Sequence, residues 1–260
     1  MLDMFDLSGK NAVIIGGAGG IGQAIARGII EAGAAVAISS RKEESLQRAQ
    51  AELKEATGQN VRYYVADACK EEEVEAVVER AARDMGRLDI LVCAQGFNKK
   101  FPVHEFPADV FRSMMEANVT SVFLCCKHFG AHMMKNGYGK IIIVSSVRGK
   151  IASRVVGNVG YSTTKSAVDM LTSQIAAEYG PYGITVNAIG PTITETPMMS
   201  QLIEQRGGDA YRQSLAGNLL IKRMATPEDC LVSAVFLASP ASDFMTGHTL
   251  YPDGGLTAVG

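Results

Sequence analysis

Tyr161 and Lys165 stand four apart in "YSTTK", with three small hydroxylated residues between them. On a helix that spacing puts both side chains on one face, with Cβ atoms roughly 6 Å apart. A phenol and an ammonium so placed can move a proton. Free tyrosine has a pKa of about 10 and carries protons poorly at neutral pH; a nearby ammonium favours the phenolate, and a pKa near 7 would need about 4 kcal/mol of differential stabilisation. The same five residues also fit an ordinary amphipathic helix, with Tyr161 half-buried and Lys165 solvated. The rest of the chain has to decide.

A second candidate is "GGAGGIG", where Gly16, Gly20 and Gly22 follow an apolar run and precede a helical pattern that starts near Ile21. Glycines let a backbone turn sharply and approach a pyrophosphate, while a helix N-terminus offers unpaired N–H groups and the positive end of its dipole. The next apolar run closes on "AISSRKEES". A cofactor with a free ribose would favour an acidic residue there. Position 40 is serine, and Arg41 can pair with a 2′-phosphate and lie over the adenine face, which favours NADP(H) over NAD(H). Arg41 also reads as a solvated helix-start residue beside Lys42 and Glu43. His128 and His132 share a helix face as zinc ligands can, but no glutamate lies between them and no third ligand is in view, so no metal is expected.

These groups need a frame. Short β-rich runs alternate with longer helical patterns: "NAVII" (11–15), "VAIS" (36–39), "VRYYVA" (61–66), "ILVCA" (90–94), "KIIIVS" (140–145) and "TVNAI" (185–189). Alternation of this kind means crossovers between parallel strands, and runs apolar at nearly every position belong to strands covered on both faces. The fold class is therefore α/β, a Rossmann-type doubly wound parallel sheet of about seven strands. No linker, repeat or low-complexity stretch divides the chain, so residues 1–260 read as one domain. The long polar and glycine-rich excursion at about 190–225 reads as a lid over a binding site.

Composition narrows the function. With 260 residues, a hydrophobic share of 47%, a net charge of −2 and a pI near 6.1, the chain can bury a large core and has no basic footprint for nucleic acid or an anionic membrane. The five cysteines are irregularly spaced and lack any C-x-x-C, so they read as reduced thiols. The opening "MLDMFDLSGK" has neither the basic start nor the apolar run of a signal peptide, and no apolar run reaches membrane-spanning length. A cytoplasmic protein is expected, with small molecules or copies of itself as partners.

The glycine turn, the "SS" at 145–146 closing a strand, and "YSTTK" together resemble the short-chain dehydrogenase/reductase family, over nearly the whole chain. The resemblance implies a catalytic set of Asn118 in "EANVTSVF", Ser146 in "VSSVRG", Tyr161 and Lys165. It implies cofactor contacts from Asp67 and Ala68 in "ADA", from Ala94 and Gly96 in "CAQG", and from Pro191, Thr194 and Thr196 in "GPTITETPM". Lys165 would also hold the nicotinamide ribose, and Asn118 a water that relays protons. "YPDGG" is similar to the family's C-terminal signature. Ile15 before the first glycine, "CAQG" in place of "NNAG", and Thr192 after Pro191 depart from the family pattern and alter bonds that brace the cofactor floor. The interval from Ser146 to Tyr161 is longer than the family's common spacing, which implies an enlarged loop. By the same resemblance "VFLCCKHFGAHMM" and "AVDMLTSQIAAEY" form the helices through which copies pair, as a homotetramer or homodimer.

The expected activity is hydride transfer between NADP(H) and a hydroxyl or ketone of a polar substrate such as a sugar, polyol or sugar acid. "GFNKKFPVHEF" resembles the gluconate 5-dehydrogenase-like members. Lys99, Lys100, Arg148, Lys150 and Arg154 lie on two loops directed at one cleft mouth, and Asn98, Lys100 and Arg148 are the candidate substrate contacts. Other readings are a 3-oxoacyl-[acyl-carrier-protein] reductase, and a catalytically inactive nucleotide-binding regulatory protein.

Overall fold

Val13 and Ile15 point into one hydrophobic core and Ala12 and Ile14 into another, all at most 5% exposed. The strand that carries them is therefore covered twice, which is why "NAVII" is apolar at almost every position. The computed structural model describes residues 2–259. Seven parallel strands, β1 (Asn11–Ile15), β2 (Ala35–Ser40), β3 (Arg62–Val65), β4 (Ile90–Cys93), β5 (Gly139–Val144), β6 (Ile184–Ile189) and β7 (Thr249–Leu250), pair in the order β3-β2-β1-β4-β5-β6-β7. The helices α1 (Gly20–Glu31), α2 (Glu43–Thr57) and α10 (Pro227–Ala238) bury their apolar stripes on one face; α3 (Glu71–Met85), α5 (Ser121–Asn136) and α7 (Val159–Tyr179) bury theirs on the other.

The order reverses between β1 and β4, where the chain crosses from one half of the sheet to the other. Ligands of open α/β sheets bind at such a switch point, beyond the carboxyl ends of the strands. All three candidate groups sit at that end: the glycine turn after β1, "CAQG" after β4 and the serine pair after β5.

The excursion at 190–225 folds into two short helices, α8 (Pro197–Gln205) and α9 (Asp209–Ala216). Its two ends are tied together: Thr194 and Ala225 form an isolated parallel bridge, and the Glu195 N–H donates to the Ala225 carbonyl at 2.8 Å. Arg212 of α9 then pairs with Glu195 at 2.9 Å. His128 and His132 face different partners, since His128 meets Glu71 at 2.9 Å and His132 accepts from the Leu88 N–H at 3.4 Å. Among the described residues no helix is long and apolar enough to cross a membrane, and no group of three His, Cys, Asp or Glu side chains is placed to hold a metal ion.

Candidate active site

Gly16 ends β1 with φ at +80°, a conformation that side chains rarely adopt, and a Cβ there would fall 2.7 Å from the Gln95 nitrogen and 2.8 Å from the Ala94 carbonyl carbon. The two loops at the switch point thus touch backbone to backbone. Helix α1 begins immediately afterwards with Gly19 at its N-cap and no side-chain cap, which leaves its first N–H groups to a ligand or to water. Thr196, at the start of α8, rests against Gly20 across the turn. At the end of β2, Ser40 is partly exposed and Arg41 fully so, while Asp67 and Ala68 follow β3 on the same side. A dinucleotide fits this donor set: bare backbone where a pyrophosphate must come close, an uncapped helix, and an unencumbered guanidinium at the ribose end.

Gly96 repeats the device with φ at +144°; a Cβ there would lie 2.9 Å from Asn118 Oδ1 and 4.0 Å from Lys165 Nζ. Asn118, fully buried, sits in a π-helical turn at Glu116–Thr120 that joins α4 (Ala108–Met115) to α5. Such turns bulge the helix by one residue and aim a side chain out of register. Its Oδ1 accepts from the Phe97 N–H at 2.9 Å, and its Nδ2 donates to the Phe97 carbonyl at 2.9 Å and to Thr164 Oγ1 at 3.1 Å. The Thr164 hydroxyl donates in turn to the Tyr161 carbonyl at 2.8 Å. One small hydroxylated residue of "YSTTK" therefore locks Asn118 to the Tyr161 turn.

Ser146 caps the one-turn helix α6 (Val147–Lys150); its hydroxyl accepts from the Arg148 N–H at 3.2 Å and donates to the Pro191 carbonyl at 3.4 Å. Lys165, 5% exposed, donates to the Val144 carbonyl at 2.7 Å and stands 5.7 Å from the Tyr161 ring. Burial pulls its pKa down to about 8, opposed by the Asp169 charge. Tyr161 differs from the sequence expectation. Burial raises its pKa above the free value, while the Ser146 hydroxyl and the Arg148 charge pull the other way. The Arg148 charge acts on the phenol, while the Lys165 ammonium, 5.7 Å from the ring, is bonded to the Val144 carbonyl.

A cavity of about 570 Å³ joins these groups, lined by Ala94, Gly96, Ser146, Tyr161, Lys165, Pro191, Thr194 and Thr196, with Ile21 at one end and α8 and α9 over the other. Gly16, Gly20, Gly22, Ser40, Arg41, Asp67 and Ala68 continue outside it, along the ends of β1 to β3. Of the five loop cations only Lys100 and Arg148 line it; Lys150 lies over the Tyr251 ring at 4.8 Å instead, and Lys99 and Arg154 are exposed elsewhere. Asn98 lines the cavity and donates to Asn158 at 3.3 Å, bridging the loops after β4 and β5. Arg206 of the 190–225 excursion joins the lining, so among the described residues four cations (Lys100, Arg148, Lys165, Arg206) and no carboxylate face this space.

A family model described as Enoyl-(Acyl carrier protein) reductase matches residues 16–257. Cis-4-hydroxycyclohexanecarboxylate dehydrogenase of Sinomonas cyclohexanicum is 38% identical over 95% of this chain and 96% of its own, and gluconate 5-dehydrogenase of Gluconobacter oxydans is 34% identical over 98% and 97%. The chain belongs to the short-chain dehydrogenase/reductase family. Its homologues are dehydrogenases and reductases acting on alcohol and ketone groups, and this chain is an oxidoreductase of that type. The crystal structure of a gluconate 5-dehydrogenase from Burkholderia cenocepacia in complex with NADP and tartrate superimposes with a TM-score of 0.91 at 34% identity, covering 100% of this chain and 99% of that one.

In this short-chain oxidoreductase the three residues expected to depart from the family pattern, Ile15, Gln95 and Thr192, all lie beside the candidate site. Ile15 is core, and the glycine turn is held instead by the Gly16 N–H donating to the Ser39 carbonyl at 2.8 Å. Gln95 sends Nε2 to Ser121 Oγ at 3.1 Å, and its buried Oε1 has no partner. Thr192 takes the Thr194 hydroxyl on its carbonyl at 3.0 Å. Sequence reasoning missed Thr164 and Arg206. Thr164 lay inside the quoted motif and its hydroxyl was the available signal. Arg206 carried none, since an exposed arginine at a helix end looks the same whether or not a cavity lies beneath it.

Proposed function

We propose that this oxidoreductase prefers NADP(H) and acts on a hydroxyl or ketone of an anionic polar substrate, a hydroxy acid of the sugar-acid kind. The observation that carries this is the charge of the cavity: four cations and no carboxylate around Tyr161 among the described residues. Lys165 belongs to the floor, but Lys100, Arg148 and Arg206 lie on the substrate side, away from the ribose end marked by Arg41. A guanidinium pairs a carboxylate bidentately, and binding of that kind acts at a distance from the reacting carbon. Cis-4-hydroxycyclohexanecarboxylate dehydrogenase and gluconate 5-dehydrogenase, among other relatives, are named for molecules that carry a hydroxyl and a carboxylate together, and the superimposed structure holds tartrate, which does too.

Bound nicotinamide would supply or accept the hydride. Tyr161 moves the matching proton, and Ser146 turns its hydroxyl from the Pro191 carbonyl to the substrate oxygen, where it stabilises developing charge. Lys165 would exchange the Val144 carbonyl for the nicotinamide ribose and bring its charge near the phenol. Asn118 acts through the Gly96–Phe97 backbone, which with Ala94, Pro191, Thr194 and Thr196 would hold the nicotinamide. Gly16, Gly20, Ile21 and Gly22 would hold the pyrophosphate, Asp67 and Ala68 the adenine side, and Ser40 and Arg41 the 2′-phosphate. The 190–225 excursion is the lid, and Asn98, Lys100 and Arg148 meet the substrate. Phe123 on α5 and Met170 on α7, 46% and 68% exposed, belong to the surface that copies would cover in a homotetramer or homodimer.

The test is nicotinamide absorbance with a panel of sugar acids, ring hydroxy acids, their uncharged polyol analogues and acyl thioesters, at low and high salt, in wild type and in Arg148→Ala. The expected result is turnover of the acids, a KM for the uncharged analogue at least about tenfold higher, and loss of that difference in Arg148→Ala. A KM indifferent to charge, salt and the substitution overturns the anionic substrate. Preference for acyl thioesters establishes the carrier-protein reductase, and cofactor binding without turnover the inactive protein.

A further inference from the structure

Asp169 is a carboxylate that the chemistry above does not use. It lies one helical turn beyond Lys165 on α7 and is half-buried. Its Oδ1 accepts from the Thr249 hydroxyl of β7 at 3.1 Å, and the hydroxyls of Ser145 and Tyr251 lie near enough to lower its pKa against the effect of burial. Oδ2 rests against Gly149 in the α6 turn, with no room for a Cβ between them. Ser145 Oγ also donates to the Lys165 carbonyl at 3.4 Å, and Ser166 Oγ to the Gly149 carbonyl at 2.8 Å. One carboxylate thus holds the segment that carries Ser146, the helix that carries Tyr161 and Lys165, and the C-terminal segment that closes the sheet.

We propose that Asp169 is a positioning residue for the catalytic set: it seats the Ser146 turn on α7 and supplies the negative charge, one turn away, that keeps the Lys165 ammonium in its buried place. A half-buried carboxylate with one hydroxyl donor and no ion pair among the described residues costs stability, so a neutral residue would serve better if packing were the whole task. The cations in reach from other elements are Arg148 and Lys150 of α6. Arg148 sends its guanidinium to the Ala152 carbonyl at 2.9 Å, and Lys150 covers the Tyr251 ring. From the C-terminal segment come the Tyr251 phenol and the Asp253 carboxylate, the latter occupied by the Gly255 and Thr257 N–H groups at 2.9 and 2.8 Å. From α7 itself come Tyr161 and Lys165. Lys165 is the one that shares both the helix face and the buried setting.

The proposal rests on Lys165 being the catalytic lysine but is tested without turnover. Competitive acetylation of the cofactor-free protein with acetic anhydride, read by mass spectrometry across pH 6 to 11, reports the pH at which Lys165 loses its proton. Asp169→Asn keeps the shape and removes the charge, so the midpoint should fall by about half a pH unit or more. Thr249→Val, which deletes a hydroxyl contact and leaves the charge, should hold the midpoint near wild type. NADPH affinity in Asp169→Asn should drop several-fold at pH 8 and recover toward pH 6, which a packing defect would not do. Should the asparagine variant fail to fold, Asp169→Ala is read the same way. Equal midpoints in wild type and in a cooperatively folded Asp169 variant overturn the proposal. Absence of turnover in wild type with an intact midpoint shift overturns only the functional reading above.

Discussion

On the floor of the cavity the polar groups already have partners: Lys165 is bonded to Val144, Asn118 to Phe97 and Thr164, Ser146 to Pro191 and the Arg148 N–H. On the rim they do not. Arg206, Lys100 and Arg41 are exposed, and none of them forms an ion pair among the described residues, whereas Arg212 and Arg223 of the same 190–225 region are paired with Glu195 and Asp229. The floor is held in place by the protein's own bonds, at the expense of burying an ammonium. Two of those bonds, from Lys165 and Ser146, would exchange a backbone carbonyl for a ligand. The rim holds its charge in water until something anionic comes. Preorganised groups act on the rate, and free ones act on binding. Substitutions on the two levels should therefore separate kcat from KM.

Tyr161→Phe should give the largest effect, a fall in kcat of about 10³-fold with cofactor affinity unchanged, because it removes only the transferable proton. Stopped-flow turnover and NADPH fluorescence titration check it, and retention of more than about a tenth of the rate would remove Tyr161 from the role. Lys165→Met should also abolish turnover, weaken NADPH binding and yet stabilise the fold. Its pKa of about 8 lies below the free-lysine value, so the native state loses that proton before the unfolded state does. Stability then rises with pH from about 8 to about 10.5 in wild type and stays flat over that window in the variant. Below pH 8 the buried ammonium costs at most about 3 kcal/mol, which urea unfolding at pH 7 and pH 9.5 would reveal as a gap that narrows.

Smaller effects belong to the rim. Arg41→Ala should lower kcat/KM for NADPH about tenfold and leave NADH unchanged, since it removes the guanidinium nearest the 2′-phosphate. Equal use of both cofactors by wild type would remove the premise. Arg206→Ala should raise KM for a hydroxy acid about threefold with kcat unaltered, and more so at low salt. Arg212→Ala, which unpairs Glu195 and loosens the base of the 190–225 excursion, should instead lower the unfolding temperature and leave the salt dependence of KM in place. If the two arginine variants behave alike, the distinction between a free and a paired guanidinium carries no functional meaning here.

What the sequence by itself determined was whatever depends on neighbours along the chain. Alternating apolar runs and helical stripes set a parallel sheet covered on both faces, because each element must bury its own apolar side. Glycines after β1 and β4 marked the turns whose φ angles no other residue holds cheaply, and a four-residue interval put Tyr161 and Lys165 on one helix face. The tertiary structure decided the rest. It placed Lys100, Arg148 and Arg206 around one cavity while Lys99, Lys150 and Arg154 face elsewhere, and one position along a loop is enough to reverse a side chain's direction. It bonded the Lys165 ammonium to the Val144 carbonyl and brought the Arg148 charge to Tyr161 as well. It also aimed Asn118 through a helical bulge that no local pattern announces. Each of these joins residues far apart in the chain, and such contacts are set by how the strands cross and how the cores fill, which the order of residues encodes only through the packing of the whole fold.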